Sequence, residues 1–345
     1  MDKTTVISGK ALVGEKFEMS PVDIFIADGI ITAIEENPRA PDIWICPALF
    51  NAHTHLGDTI AMDCGVTGDL TTLVTPPEGL KHRLLAQASY PELVEGMRKS
   101  IDGMISRGTY GCADFREGGQ TGVAGLLEAV ANLPFRTFIF GRDGGESSGD
   151  GIGISSVRDI RDADRQVETA RNCGKKVAFH AGERDPDDVD EALAYDPDLI
   201  IHATHATKRQ LRECADRNIP IAVCPRSNWV LGVAKSSAHP PIRIMLDLGC
   251  TVYLGTDNVM FVPPDLLSEM AFTSIIYGIE PEVILHSAVA GSAISGISCF
   301  IHAGARANLF TLDAAHSAIR FSRDPVATIV RRACGLPIGK NVFNW

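Results

Sequence analysis

Apolar runs that end abruptly in a polar, chemistry-bearing side chain recur along this chain. Ile43-Trp44-Ile45-Cys46-Pro47-Ala48-Leu49 reads as a buried strand and leads into Phe50-Asn51-Ala52-His53-Thr54-His55. Val177-Ala178-Phe179 ends in His180, Leu199-Ile200-Ile201 in His202, and Thr251-Val252-Tyr253-Leu254-Gly255-Thr256 in Asp257. Short continuous apolar runs of this kind mark strands buried on both faces. Further strands are predicted over 110–115, 135–140, 152–155 and 220–224. Helical stretches fall between them over 91–107, with Pro91 at its first position, over 122–131 and over 156–171. Alternation of this form predicts a parallel α/β sheet. The glycine-rich segment 144–153 leaves the third helix nearly absent, and 152–155 is the least marked strand of the count.

The two ends of the chain read differently. Thr4 to Gly9, Val22 to Ile26 and Ile30 to Ile34 form short alternating strands, with turns at Gly14 and at Asp28-Gly29. They are too few to hold a core alone. Segments 307–312, 319–321 and 327–330 offer partners from the other end. The expected architecture is a (β/α)8 TIM-like barrel over 46–304, flanked by a small β-sandwich built from 1–45 and 305–345. A loop of roughly 25 residues follows His55, containing Gly57, Gly65, Gly68, Pro76, Pro77 and Gly79, and loops of that length are usually functional.

Composition narrows the function. Of 345 residues, 45% are hydrophobic and 22% charged, an ordinary globular balance. The net charge of -11 and the lack of a Lys/Arg cluster argue against nucleic-acid binding. No apolar run reaches membrane-spanning length and no signal peptide is apparent. The nine cysteines are scattered and never form a CxxC pair, which predicts a reducing cytoplasm and no cysteine-metal site.

The strand ends carry the chemistry. Residues two apart on a strand share a face, so His53 and His55 can aim at one point. In a parallel barrel all strand C-termini open onto one face, where His180, His202 and Asp257 would join them. His53, His55, His180 and Asp257 are read as ligands of one divalent metal: zinc, or else iron(II) or manganese. Glu183 lies three residues past His180 and is read as a proton carrier, the competing reading being a carboxylate that caps the next helix near Pro186. His202 is read as the group that orients an attacking hydroxide, with His205 as its rival.

His53-Thr54-His55, His180-Ala181-Gly182-Glu183, His202, Cys224-Pro225-Arg226-Ser227-Asn228 and Leu254-Gly255-Thr256-Asp257 together resemble the motif series of the amidohydrolase superfamily. Within it they are most similar to the branch of cytosine-, guanine- and adenosine-type deaminases and chlorohydrolase-like enzymes. The resemblance implies a barrel with a flanking β-sandwich, a metal-activated hydroxide, Asp257 as an acceptor of its proton, and a homo-oligomeric habit. No lysine lies near 152–155, where binuclear members place a bridging one, so a single metal is expected. The expected activity is hydrolytic deamination of an amino-substituted nitrogen heterocycle. The alternatives are hydrolysis of a cyclic amide or a halide, and a non-catalytic barrel with an assembly role. Arg116, Arg142, Arg226 and Asn228 follow strands two, three and seven. They are the expected contacts to an anionic or carbonyl-rich end of a small-molecule substrate.

Overall fold

The computed structural model describes residues 4–64, 70–76, 78–160 and 162–343. The chain opens with β1 (Thr5–Val13), β2 (Glu18–Ala27), β3 (Ile30–Glu36) and β4 (Ile43–Pro47). It continues with β5 (Leu49–His55), β6 (Thr109–Arg116), β7 (Arg136–Gly141), β8 (Gly151–Ile154) and β9 (Lys176–Ala181). Then come β10 (Leu199–His202), β11 (Ile221–Val223), β12 (Val252–Leu254) and β13 (Asp257–Asn258), and last β14 (Leu309–Asp313) and β15 (Asn341–Val342).

The strands β5 to β13 form one parallel sheet in the order β12-β11-β10-β9-β8-β7-β6-β5-β13. Strands β12 and β13 are two pieces of a single interrupted strand. One pairs with β11 and the other with β5, so the sheet closes on itself as a barrel of eight strand positions. Asn51 staples the seam: its Nδ2 donates to Thr256 Oγ1 at 2.7 Å, and its Oδ1 accepts from the Thr256 N–H at 3.0 Å. At Gly255 a Cβ would lie 2.8 Å from the Cβ of His53, so only glycine fits beside the first histidine.

The two ends of the chain share a second, six-stranded sheet, ordered β15-β14-β4-β1-β2-β3. Its side chains alternate between two apolar layers, as a period of two requires. Leu12, Trp44, Cys46 and Phe310 join the barrel's core, while Ile7, Ala11, Ile24 and Ile45 pack with Ile301 and Ala307 on the other face.

Several elements differ from those the pattern predicts. The run 43–49 is not one strand leading to the histidines. It splits at Ala48, whose N–H bonds Asn308 O, while the Leu49 N–H bonds Gly108 O across in the barrel, so one residue carries the chain from sheet to sheet. Segments 319–321 and 327–330 are a 3₁₀ turn (Ala318–Phe321) and a helix (Pro325–Arg332), not strands. Asp324 caps that helix by accepting the Ala327 N–H at 2.9 Å, and Pro325 needs no partner for its missing N–H. The stretch 156–171 becomes a 3₁₀ turn at Val157–Asp159 and a helix at Ala163–Asn172. The helix expected over 91–107 starts earlier, at Tyr90, because Ser89 and Glu92 form a capping box. The third helix is reduced to one 3₁₀ turn, Gly145–Ser147. The long loop after His55 contains a 3₁₀ turn (Leu56–Ala61) and the helices Leu70–Val74 and Leu80–Gln87. Its Gly65, Gly68 and Pro77 lie outside the described residues.

Candidate active site

The barrel brings His53, His55, His180, His202 and Asp257 to one end of its parallel strands. His53 Nε2 lies 3.2 Å from both His180 Nε2 and Asp257 Oδ1, and His55 Nε2 lies 3.5 Å from the same oxygen. Two overlapping groups, His53–His55–His180 and His53–His202–Asp257, each have ligand atoms within 4.8 Å of one another. Backbone turns aim the last two residues. His202 has φ 75° and Asp257 φ 63°, left-handed conformations that cost free energy in non-glycine residues and collect at functional sites.

Hydrogen bonds fix which nitrogens are free to bind a cation. His180 Nδ1 donates to Ile154 O at 3.0 Å and His55 Nδ1 donates to Glu117 Oε1 at 3.0 Å, so both rings present an Nε2 lone pair to the centre. Asp257 Oδ2 accepts from Ser227 Oγ at 2.5 Å, which leaves Oδ1 turned to the imidazoles. Burial pushes the imidazoles of His53 and His55 down to about 4 and about 3, so both stay neutral. Burial alone would raise Asp257, but the hydrogen bond from His53 and the imidazoles around it hold the carboxyl well below its usual range. Neutral imidazoles with a buried carboxylate are the donor set of a divalent metal, and these residues fit one.

A cleft opens over this centre. His55, His180, His202, Asp257 and Glu183 form its floor, and Lys81, Arg142, Ser155, Arg184 and Asn258 stand around it with Leu70, Val74 and Leu231. Gly182, at φ 69°, makes the turn that swings Glu183 back, to 3.6 Å between its Oε1 and His202 Nε2. Burial pushes the Glu183 carboxyl above its ordinary range, with His202 pulling it back and Asp257 adding to the rise. His205 instead packs on the ring of His239, with centroids 4.8 Å apart, outside the cleft lining.

Three of the four expected substrate contacts are engaged elsewhere. Arg116 is buried and bonds Glu117 Oε2 at 2.8 Å, with Asp114 and Met97 on its other nitrogen. Arg226 bonds Glu269 Oε2 at 2.5 Å and the carbonyls of Pro263 and Asp265. Asn228 donates to Thr204 Oγ1 at 2.6 Å and holds the turn after His202. Arg226 and Asn228 are captured by partners distant in sequence and Arg116 by carboxylates beside it in the chain; Arg142 alone of the four lines the cleft. Trp229 likewise donates to Tyr277 Oη at 2.9 Å, away from the cleft.

Lys81 is the residue that sequence reasoning missed. It is 3% exposed and sits 2.8 Å from both Asp58 Oδ2 and Glu117 Oε1, at the edge of the cleft. A lysine at the start of a loop helix carries no sequence signal of pointing inward, and only the carboxylates waiting there explain it.

The adenosine deaminase family matches over residues 148–309. A putative aminohydrolase of Methanothermobacter thermautotrophicus is 33% identical, over 96% of this chain and 95% of its own. The chain belongs to the amidohydrolase superfamily. As a member it is a metal-dependent hydrolase of the aminohydrolase type. Solved structures share the superfamily's fold. Atrazine chlorohydrolase of Arthrobacter aurescens, solved with zinc, superposes with a TM-score of 0.80 at 16% identity, over 98% of this chain and 94% of that one. Guanine deaminase of C. acetobutylicum, with guanine in its active site, superposes at 0.77 and 16% identity, over 99% of each chain. Among the described residues no helix is long and apolar enough to cross a membrane.

Proposed function

We propose that this enzyme hydrolytically removes the amino group of an amino-substituted nitrogen heterocycle, with zinc held by His53, His55, His180 and Asp257. The observation that carries the reading is Glu183, lining the cleft 3.6 Å from His202 with its carboxyl raised by burial. A zinc ion, when bound, supplies the Lewis acidity that brings a water's ionisation toward neutral pH.

The side chains do the rest. Glu183, in its protonated form, donates to the ring nitrogen beside the C–NH2 carbon and makes that carbon electrophilic. After attack its carboxylate takes the proton of the added hydroxyl as the C=O forms and passes it to the amine, which leaves as ammonia. His202, buried beside Glu183, hydrogen-bonds the oxygen that adds to the ring and stabilises its developing charge. Asp257 Oδ1, left facing the imidazoles by the Ser227 bond to Oδ2, accepts the proton that the water gives up. Arg142 reaches the cleft with one guanidinium nitrogen on Glu117 Oε1 at 3.1 Å and its others free among the described residues, and it anchors a carbonyl or anionic edge of the substrate. All nine cysteines are unpaired, which supports a reducing, cytoplasmic setting.

Ammonia release by zinc-loaded protein across pyrimidines, purines, their nucleosides, pterins and triazines tests the reading. Glu183→Gln is expected to lower kcat by about 100- to 10,000-fold while zinc content stays at that of the native protein. Halide release from chlorinated triazines, with no ammonia from any amino ring, would replace deamination by dehalogenation.

A further inference from the structure

We propose that Lys81, acting through Glu117, is a positioning residue that couples the docking of the helix Leu80–Gln87 to the metal site. The proposal rests on the metal reading above. Helices dock by burying an apolar stripe. This one has a single fully buried side chain, and it is the lysine. Leu80 packs against Leu70, Leu73 and Leu231, and the buried anchor beside it is a charge, with Lys81 Nζ 2.8 Å from Asp58 Oδ2 and 2.8 Å from Glu117 Oε1.

The same Glu117 oxygen faces the metal centre. Oε1 accepts His55 Nδ1–H at 3.0 Å and Arg142 Nη1 at 3.1 Å, while Oε2 accepts Arg116 Nη2 at 2.8 Å. The bond from His55 decides which of its nitrogens is left for the ion and how the ring is turned. Lys81 is the cation that separates two buried carboxylates, Asp58 and Glu117. Without it they face each other across the gap, and Glu117 is left to the two guanidinium groups, drawn away from His55. Coupling of this kind is reciprocal. If seating Lys81 favours the metal-binding pose of His55, then metal binding tightens the seating of the helix.

The test uses the full chain, zinc as the probe, and the variants Lys81→Met and Lys81→Arg. Zinc affinity is read by competition with a chromophoric chelator, and amide hydrogen exchange is followed over 80–87 with and without zinc. In the native protein, zinc is expected to slow exchange across 80–87. Lys81→Met is expected to bind zinc about 10- to 100-fold more weakly and to lose that protection, and Lys81→Arg to recover most of both. A lysine that merely packs would lower the melting temperature and leave zinc affinity and zinc-dependent protection at native values, which overturns the proposal. Native protein that binds no zinc would instead remove the metal reading, and the proposal with it. Should Lys81→Met not fold, Glu117→Gln carries the same test. It keeps the shape and an acceptor for His55 but drops the charge that holds Lys81, so 80–87 no longer responds to zinc.

Discussion

At the scale of single residues, the site separates side chains that a strand aims from side chains that a distant partner captures. His53, His55, His180, His202 and Asp257 were legible because a strand end fixes both their face and their direction. Arg226 is drawn from the cleft by Glu269, distant in sequence, and Arg116 by its own neighbours Asp114 and Glu117, whose burial together with it the local pattern does not mark. The distinction has measurable content. Arg226→Ala leaves Glu269 buried without its cation and is expected to cost about 3–5 kcal/mol of stability with KM unchanged in whatever protein stays folded, read by urea melts and steady-state kinetics. Arg142→Ala removes a side chain that lines the cleft and is expected to raise KM more than it lowers kcat. If the two variants behaved alike, the separation drawn between them would fail.

At the scale of elements, the strand count was legible and the edges were not. The eight barrel positions follow from apolar runs at regular spacing, and even the least marked of them, Gly151–Ile154, pairs on both sides. The errors lie where a short β-branched run meets a capping residue. Ala327-Thr328-Ile329-Val330 has strand composition, but Asp324 and Pro325 just before it start a helix, and capping outweighs propensity there. Asp324→Ala is therefore expected to cost about 1 kcal/mol, measured as a shift in the denaturation midpoint, with kcat unchanged. Ala48 was hidden for another reason. A chain that passes between two buried sheets stays apolar throughout, so hydrophobicity does not mark the crossing.

For the molecule as a whole, the buried imidazoles make acid the natural stress. In metal-free protein burial holds His53 near 4 and His55 near 3, whereas unfolded imidazoles titrate near 6.5. Below that value the unfolded chain binds protons that the folded chain refuses, so stability falls as pH drops from about 6.5 toward 4. Asp257, held low in the fold, adds to the loss further down, where its unfolded carboxyl would take up a proton first. Melting temperatures of the metal-free protein at pH 7 and pH 4.5 are expected to differ by several degrees, and zinc at pH 7 is expected to raise the higher one further. The six-stranded sheet has a consequence of its own. Strand β4 lies between β1 and β14, so one of its edges waits for residues near the end of the chain. During synthesis the ribosome delivers the entire barrel before that edge is covered. For that interval Trp44 and Ile45 sit on an open strand, and an open apolar edge invites pairing between nascent chains. Loss of the chain beyond 308 would make the interval permanent, turning a late folding step into a route to aggregation.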